Sequence, residues 1–136
     1  MKYKFLALAM SALLIGKAMA ADSLSELREV TSKSWSSCSY SAVIAGTVFG
    51  SLEYYDKTVS CVSTAKEKAL PLYKAAVSSA KTQALKDSLK NYYVKWSSSM
   101  QSLDSLQRQP KNTIEATKTD FQQKINEAWE LVELEK

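Results

Sequence analysis

The chain has 136 residues, 46 % of them hydrophobic and 24 % charged, with a formal net charge of +4, three glycines, two cysteines and no histidine. That size and balance fit one folded domain rather than a disordered chain. The absent histidines leave little for a metal site or a His-based catalytic triad, and three glycines leave no room for a glycine-rich phosphate loop or a many-turned β-barrel.

Lys2 and Lys4 precede an eleven-residue apolar run, Phe5 to Ile15, and Ala18-Met19-Ala20 follows as a small-x-small signature. This layout predicts a secretory signal peptide over residues 1–20, cleaved after Ala20 or Ala21. The run is about half the roughly 20 residues a membrane span needs, and Lys17 interrupts it. The expected location is the periplasm or the cell exterior, with no membrane span left after cleavage. Cleavage also removes Lys2, Lys4 and Lys17, leaving fifteen basic residues against fourteen acidic ones. A nucleic-acid partner is therefore not expected. The remaining charge is uneven: residues 22–56 and 112–136 each sum to −3, while residues 57–111 sum to +7. Such a basic middle fits complementary packing of neighbouring helices, the simpler option, or a basic surface turned toward an anionic partner.

Spacings of three and four dominate the rest of the chain, which predicts an all-α fold. Ser23 to Glu26 forms a capping box. After it Leu24, Leu27, Thr31, Trp35, Cys38, Ala42, Ala45 and Phe49 make one helical stripe, with Thr31 its least apolar member. Gly50 suits a C-terminal cap and Ser51 a new start. Cys61, Ala65, Ala69, Leu72, Ala76 and Ala80 form a second stripe; Leu85, Leu89, Tyr92, Trp96, Met100, Leu103 and Leu106 form a third. The five-residue step from Ala80 to Leu85 predicts a break near Ser78 to Thr82, with Pro71 as the competing break. Gln109 to Asn112 reads as a loop. Asn112 or Thr113 is then expected to cap a last helix bearing Ile114, Phe121, Ile125, Ala128 and Val132. Glu133 and Glu135 oppose the dipole at its end, so that end is expected to fray. Four nearly equal segments, 23–49, 52–79, 82–107 and 112–134, predict an up-down antiparallel bundle forming a single domain over residues 21–136.

Cys38 and Cys61 are the only cysteines, and the export signal places them where disulfides persist. On one continuous helix they would lie about 34 Å apart. A reversal at Gly50 instead sets them opposite each other, so the spacing predicts a disulfide stapling the first two helices. No Cys-x-x-Cys motif marks a redox couple.

Catalytic chemistry is not expected. Glu26 with Glu29, and Glu127 with Glu130, share helix turns but read as solvated faces. No Gly-x-Ser-x-Gly elbow surrounds the serines, and neither a metal nor another cofactor is implied. Within Tyr92-Tyr93-Val94-Lys95-Trp96, Tyr92 and Trp96 read as core. Tyr93 projects near Lys86 and Lys90, so Tyr93, Lys86, Lys90 and Lys95 are candidate partner contacts, with a half-buried Tyr93 between helices as the simpler reading. Tyr55 near the turn is a further candidate. The expected function is a non-enzymatic exported protein that binds another protein in the envelope, of inhibitor, immunity or chaperone type. The alternative is a carrier of a lipid or other amphipathic ligand between its helices. The sequence sets no oligomeric state.

Overall fold

The computed structural model describes the backbone of residues 6–47 and 52–136, and side chains from residue 23 onward within them. Every regular element among the described residues is helical: α1 (Leu6–Thr47), α2 (Leu52–Ser79), α3 (Gln83–Gln101), a single turn α4 (Leu103–Leu106) and α5 (Lys111–Leu134).

The stripe expected for α1 is its buried face, since Leu24, Leu27, Thr31, Trp35, Cys38, Ala42 and Ala45 are all buried. Phe49 and the proposed elbow at Gly50 lie outside the described residues. The capping box does not open a helix, because α1 is already running at Ser23. The alanines and leucines before it are strong helix formers and carry the helix through the box.

Pro71 does not break α2, which continues from Leu52 to Ser79. The proline is exposed, so the Glu67 carbonyl that loses its N–H partner lies on the solvent side. The break falls where the stripe slips. Thr82 caps α3, its side chain accepting from the Leu85 N–H at 3.1 Å. Residues 52–107 are thus not one kinked helix. The expected 82–107 segment divides again at Ser102, whose hydroxyl and N–H both donate to the Ser98 carbonyl, at 2.9 and 3.0 Å. This hydroxyl competes with the backbone for the same acceptor. The last helix opens at Lys111 with Pro110 at its cap, one residue before the segment expected from the sequence. Asn112 and Thr113 do not cap it; Thr113 Oγ1 donates to the Pro110 carbonyl at 2.8 Å instead.

Pairs of contacts fix the helix directions. Cys38 bonds to Cys61 with their Cα atoms 5.5 Å apart, and Ser23 Oγ lies 3.5 Å from Ser79 Oγ, so α1 and α2 are antiparallel. Tyr73 stacks on Tyr93 and Lys66 bonds to Gln101, so α2 and α3 are antiparallel. Arg28 meets Asn126 and Trp35 meets Phe121, so α5 opposes α1. The result is an up-down-up-down bundle in which α1 and α2 share the most extensive contact. Trp35, Trp96, Tyr92, Leu27, Leu89 and Met100 are fully buried at its centre.

Candidate binding surfaces

A polar chain crosses the core where α1, α3 and α5 meet. Thr31 Oγ1 donates to the Leu27 carbonyl at 2.7 Å, which leaves it free to accept from the Tyr92 hydroxyl. Tyr92 in turn accepts from Arg28 Nη1 at 3.3 Å, and Trp96 Nε1 donates to the Thr31 carbonyl at 3.0 Å. The Arg28 guanidinium also donates to Asn126 Oδ1 at 3.1 Å and lies 5.2 Å from the Trp129 ring centroid. Sequence reading missed both Arg28 and Trp129. Trp129 was recoverable, sitting four residues after the buried Ile125; Arg28 was not, because its aromatic partners come from other helices.

The candidate contact residues do not form one site. Tyr93 is half-buried, its ring stacked on Tyr73 at 4.3 Å, as its simpler reading held. Burial pushes its phenol above the ordinary range, and Tyr73 adds to the rise. Lys86 and Lys90 precede Tyr93 by two turns and one on the same face of α3. Lys95 lines a different groove, between α3 and α5. Tyr55 sits at the far end of the bundle, where its hydroxyl donates to the Gln107 carbonyl at 3.4 Å.

The six ion pairs among the described residues all join residues three or four apart in sequence. Among the described residues no ion pair joins two helices, so the basic middle is not tied to its neighbours by such pairs. Among the described residues, Lys57 and Arg108 of its ten cations have an ionic partner, and Lys66, Lys68, Lys74, Lys81, Lys86, Lys90, Lys95 and Lys111 have none. The carboxyls with shifted titration are exposed: hydrogen bonds from Lys33 and Lys57 hold Glu29 and Glu53 below the usual carboxylate range. Lys57 is raised in return by the hydrogen bond it donates to Glu53.

Surface clefts lie between neighbouring helices. One, of about 680 Å³, lies between α1 and α2 beside Cys61 and is lined by Lys33, Ser37, Asp56, Lys57, Thr64 and Lys68 among others. Another, of about 570 Å³, runs between α3 and α5 over Ala128. Lys124, Glu127, Leu131 and Leu134 form its α5 wall, and Asn91 and Lys95 its α3 wall. Its floor is low because Ala128 stands between the larger Ile125 and Val132 on the same buried stripe. Among the described residues no cluster of three or more His, Cys, Asp or Glu side chains could hold a metal, and no helix is long and apolar enough to cross a membrane. No family model matches the chain, nor does any curated protein or solved structure.

Proposed function

We propose that the chain is exported, is cleaved after Ala20 or Ala21, and acts in the envelope as a single non-enzymatic domain, residues 21–136, that binds another protein. Pairing of its only two cysteines supports an oxidising compartment. The observation that carries the binding reading is the groove between α3 and α5. It exposes Leu131 and Leu134, at 48 % and 79 %, between the charged groups Lys95, Lys124 and Glu127. An apolar strip with a polar rim is the anatomy of a protein interface, and a cleft of this kind accepts a side chain from a partner helix. Inhibitor, immunity and chaperone roles all use such a rigid scaffold. The carrier alternative needs room inside the bundle, whereas Trp35, Trp96 and Tyr92 fill its centre and the clefts lie on its surface.

The test is capture from envelope extract of the native host, with wild-type protein and Leu131→Asp compared side by side. Leu131 is exposed, so the variant should melt with the wild type. A protein retained by the wild type and lost by Leu131→Asp supports the reading. Identical capture by both, or no protein retained at any salt concentration, refutes it. A lipid that co-purifies in native mass spectrometry would replace it with the carrier.

A further inference from the structure

We infer that the seam between α2 and α3 is a second docking face, one that lies against an anionic lipid surface. It is separate from the α3–α5 groove and does not depend on it. Two crossings fix the seam: the Tyr73–Tyr93 stack, and the bond from Lys66 Nζ to Gln101 Oε1 at 3.1 Å. Lys66 lies two turns before Tyr73 on the same face of α2; Lys86 and Lys90 lie on the Tyr93 face of α3. Lys81 stands in the connector at the same end, and Lys74 adjoins Tyr73. Among the described residues none of these five lysines has an ionic partner.

The neighbouring carboxylates are engaged along their own helices. Ser63 Oγ donates to Glu67, the Gln83 amide to Asp87, and Gln107 and Arg108 to Asp104. Neutral donors leave Glu67 and Asp87 their charge, so five lysines against these two carboxylates keep a net +3 along the seam, and an anionic surface relieves that excess.

The form of the seam favours a lipid leaflet over an acidic protein. All five cations are lysines, compact charges that suit phosphates, rather than arginines, whose fork pairs with single carboxylates. They are spread over about 22 Å, the rise of fifteen helical residues, as a plane of headgroups requires. Leu70, 40 % exposed, adds an apolar contact on the same side of α2. The two tyrosines are occupied by each other, so the seam lacks the free aromatic anchor that a protein interface uses.

The test is sedimentation of exported, disulfide-intact protein with vesicles of mixed phosphatidylglycerol and phosphatidylcholine, against vesicles of phosphatidylcholine alone. Binding to the anionic vesicles only is expected, and its loss near about 0.5 M salt. The combined variant Lys81→Glu, Lys86→Glu and Lys90→Glu should bind at least about tenfold more weakly, and Lys95→Glu, on another side of α3, within about twofold of wild type. Among the described residues these side chains make no ion pairs, and unchanged melting curves confirm that the variants are folded. Equal binding to both vesicle types, or an equal loss in Lys95→Glu and the seam variant, overturns the proposal. So does a protein that ignores the vesicles yet binds polyglutamate through the seam, which would assign the face to an acidic protein.

Discussion

Thr31 sits among apolar residues on the α1 stripe, and its hydroxyl and carbonyl serve two side chains from α3. Its Oγ1 accepts from Tyr92 and its carbonyl accepts from Trp96, both from fully buried partners. Thr31→Val keeps the shape and removes the acceptor, leaving the Tyr92 hydroxyl with only the Arg28 donor facing it. Stranding a buried hydroxyl costs about 1–3 kcal/mol. Urea unfolding should show that loss for Thr31→Val and a smaller one for Thr31→Ser, which keeps the hydroxyl. Equal stability of Thr31→Val and wild type would show that the bond contributes nothing. The sequence marked Thr31 as the stripe's exception without showing why. The reason is three-dimensional, since Tyr92 and Trp96 lie more than sixty residues away.

At the scale of elements, periodicity located the helices and local chemistry decided their ends. The five-residue slip after Ala80 outranked Pro71, because a proline on an exposed face costs a hydrogen bond that water can replace. The α5 start was misplaced by one residue, because Pro110 already holds a φ of −57° and needs no polar cap from Asn112. Gly46 near the end of α1 shows a close approach that spacing could only hint at. A Cβ built there would stand 2.6 Å from Ile114 Cδ1 and 3.0 Å from the Gln107 carbonyl oxygen. The isoleucine methyl can turn aside, but the carbonyl belongs to the turn between α4 and α5 and moves only with the backbone. Gly46→Ala should therefore destabilise the protein by about 1–2 kcal/mol despite alanine's better helix propensity. Adding Ile114→Val should recover none of the part due to the carbonyl. A melting temperature at or above wild type for Gly46→Ala would mean that the turn yields freely.

For the whole molecule, the charge blocks and the cysteine pair were the long-range signals in the sequence, and they fared differently. The basic middle was visible, but its use depended on which side chains meet across helices. Among the described residues the ion pairs turned out to be local, joining side chains three or four residues apart. The cysteines carried their own geometry, because a separation of 23 with a reversal between them leaves few ways to place two sulfurs together. The bond joins the two helices that share the most contact, so it reinforces an interface that already exists. Its effect should appear mainly as a constraint on the unfolded chain, about 3 kcal/mol for a loop of this length. That is a large share of the roughly 5–15 kcal/mol that holds a typical domain. The reduced protein, and Cys38→Ala with Cys61→Ala, should keep their helical circular dichroism at 25 °C while their urea midpoints fall together. Cys38 is fully buried and Cys61 lines an open cleft, so thiol reductants should reach the bond from the Cys61 side. An unchanged midpoint after complete reduction, verified by alkylation of both thiols, would show that α1 and α2 hold each other without the crosslink.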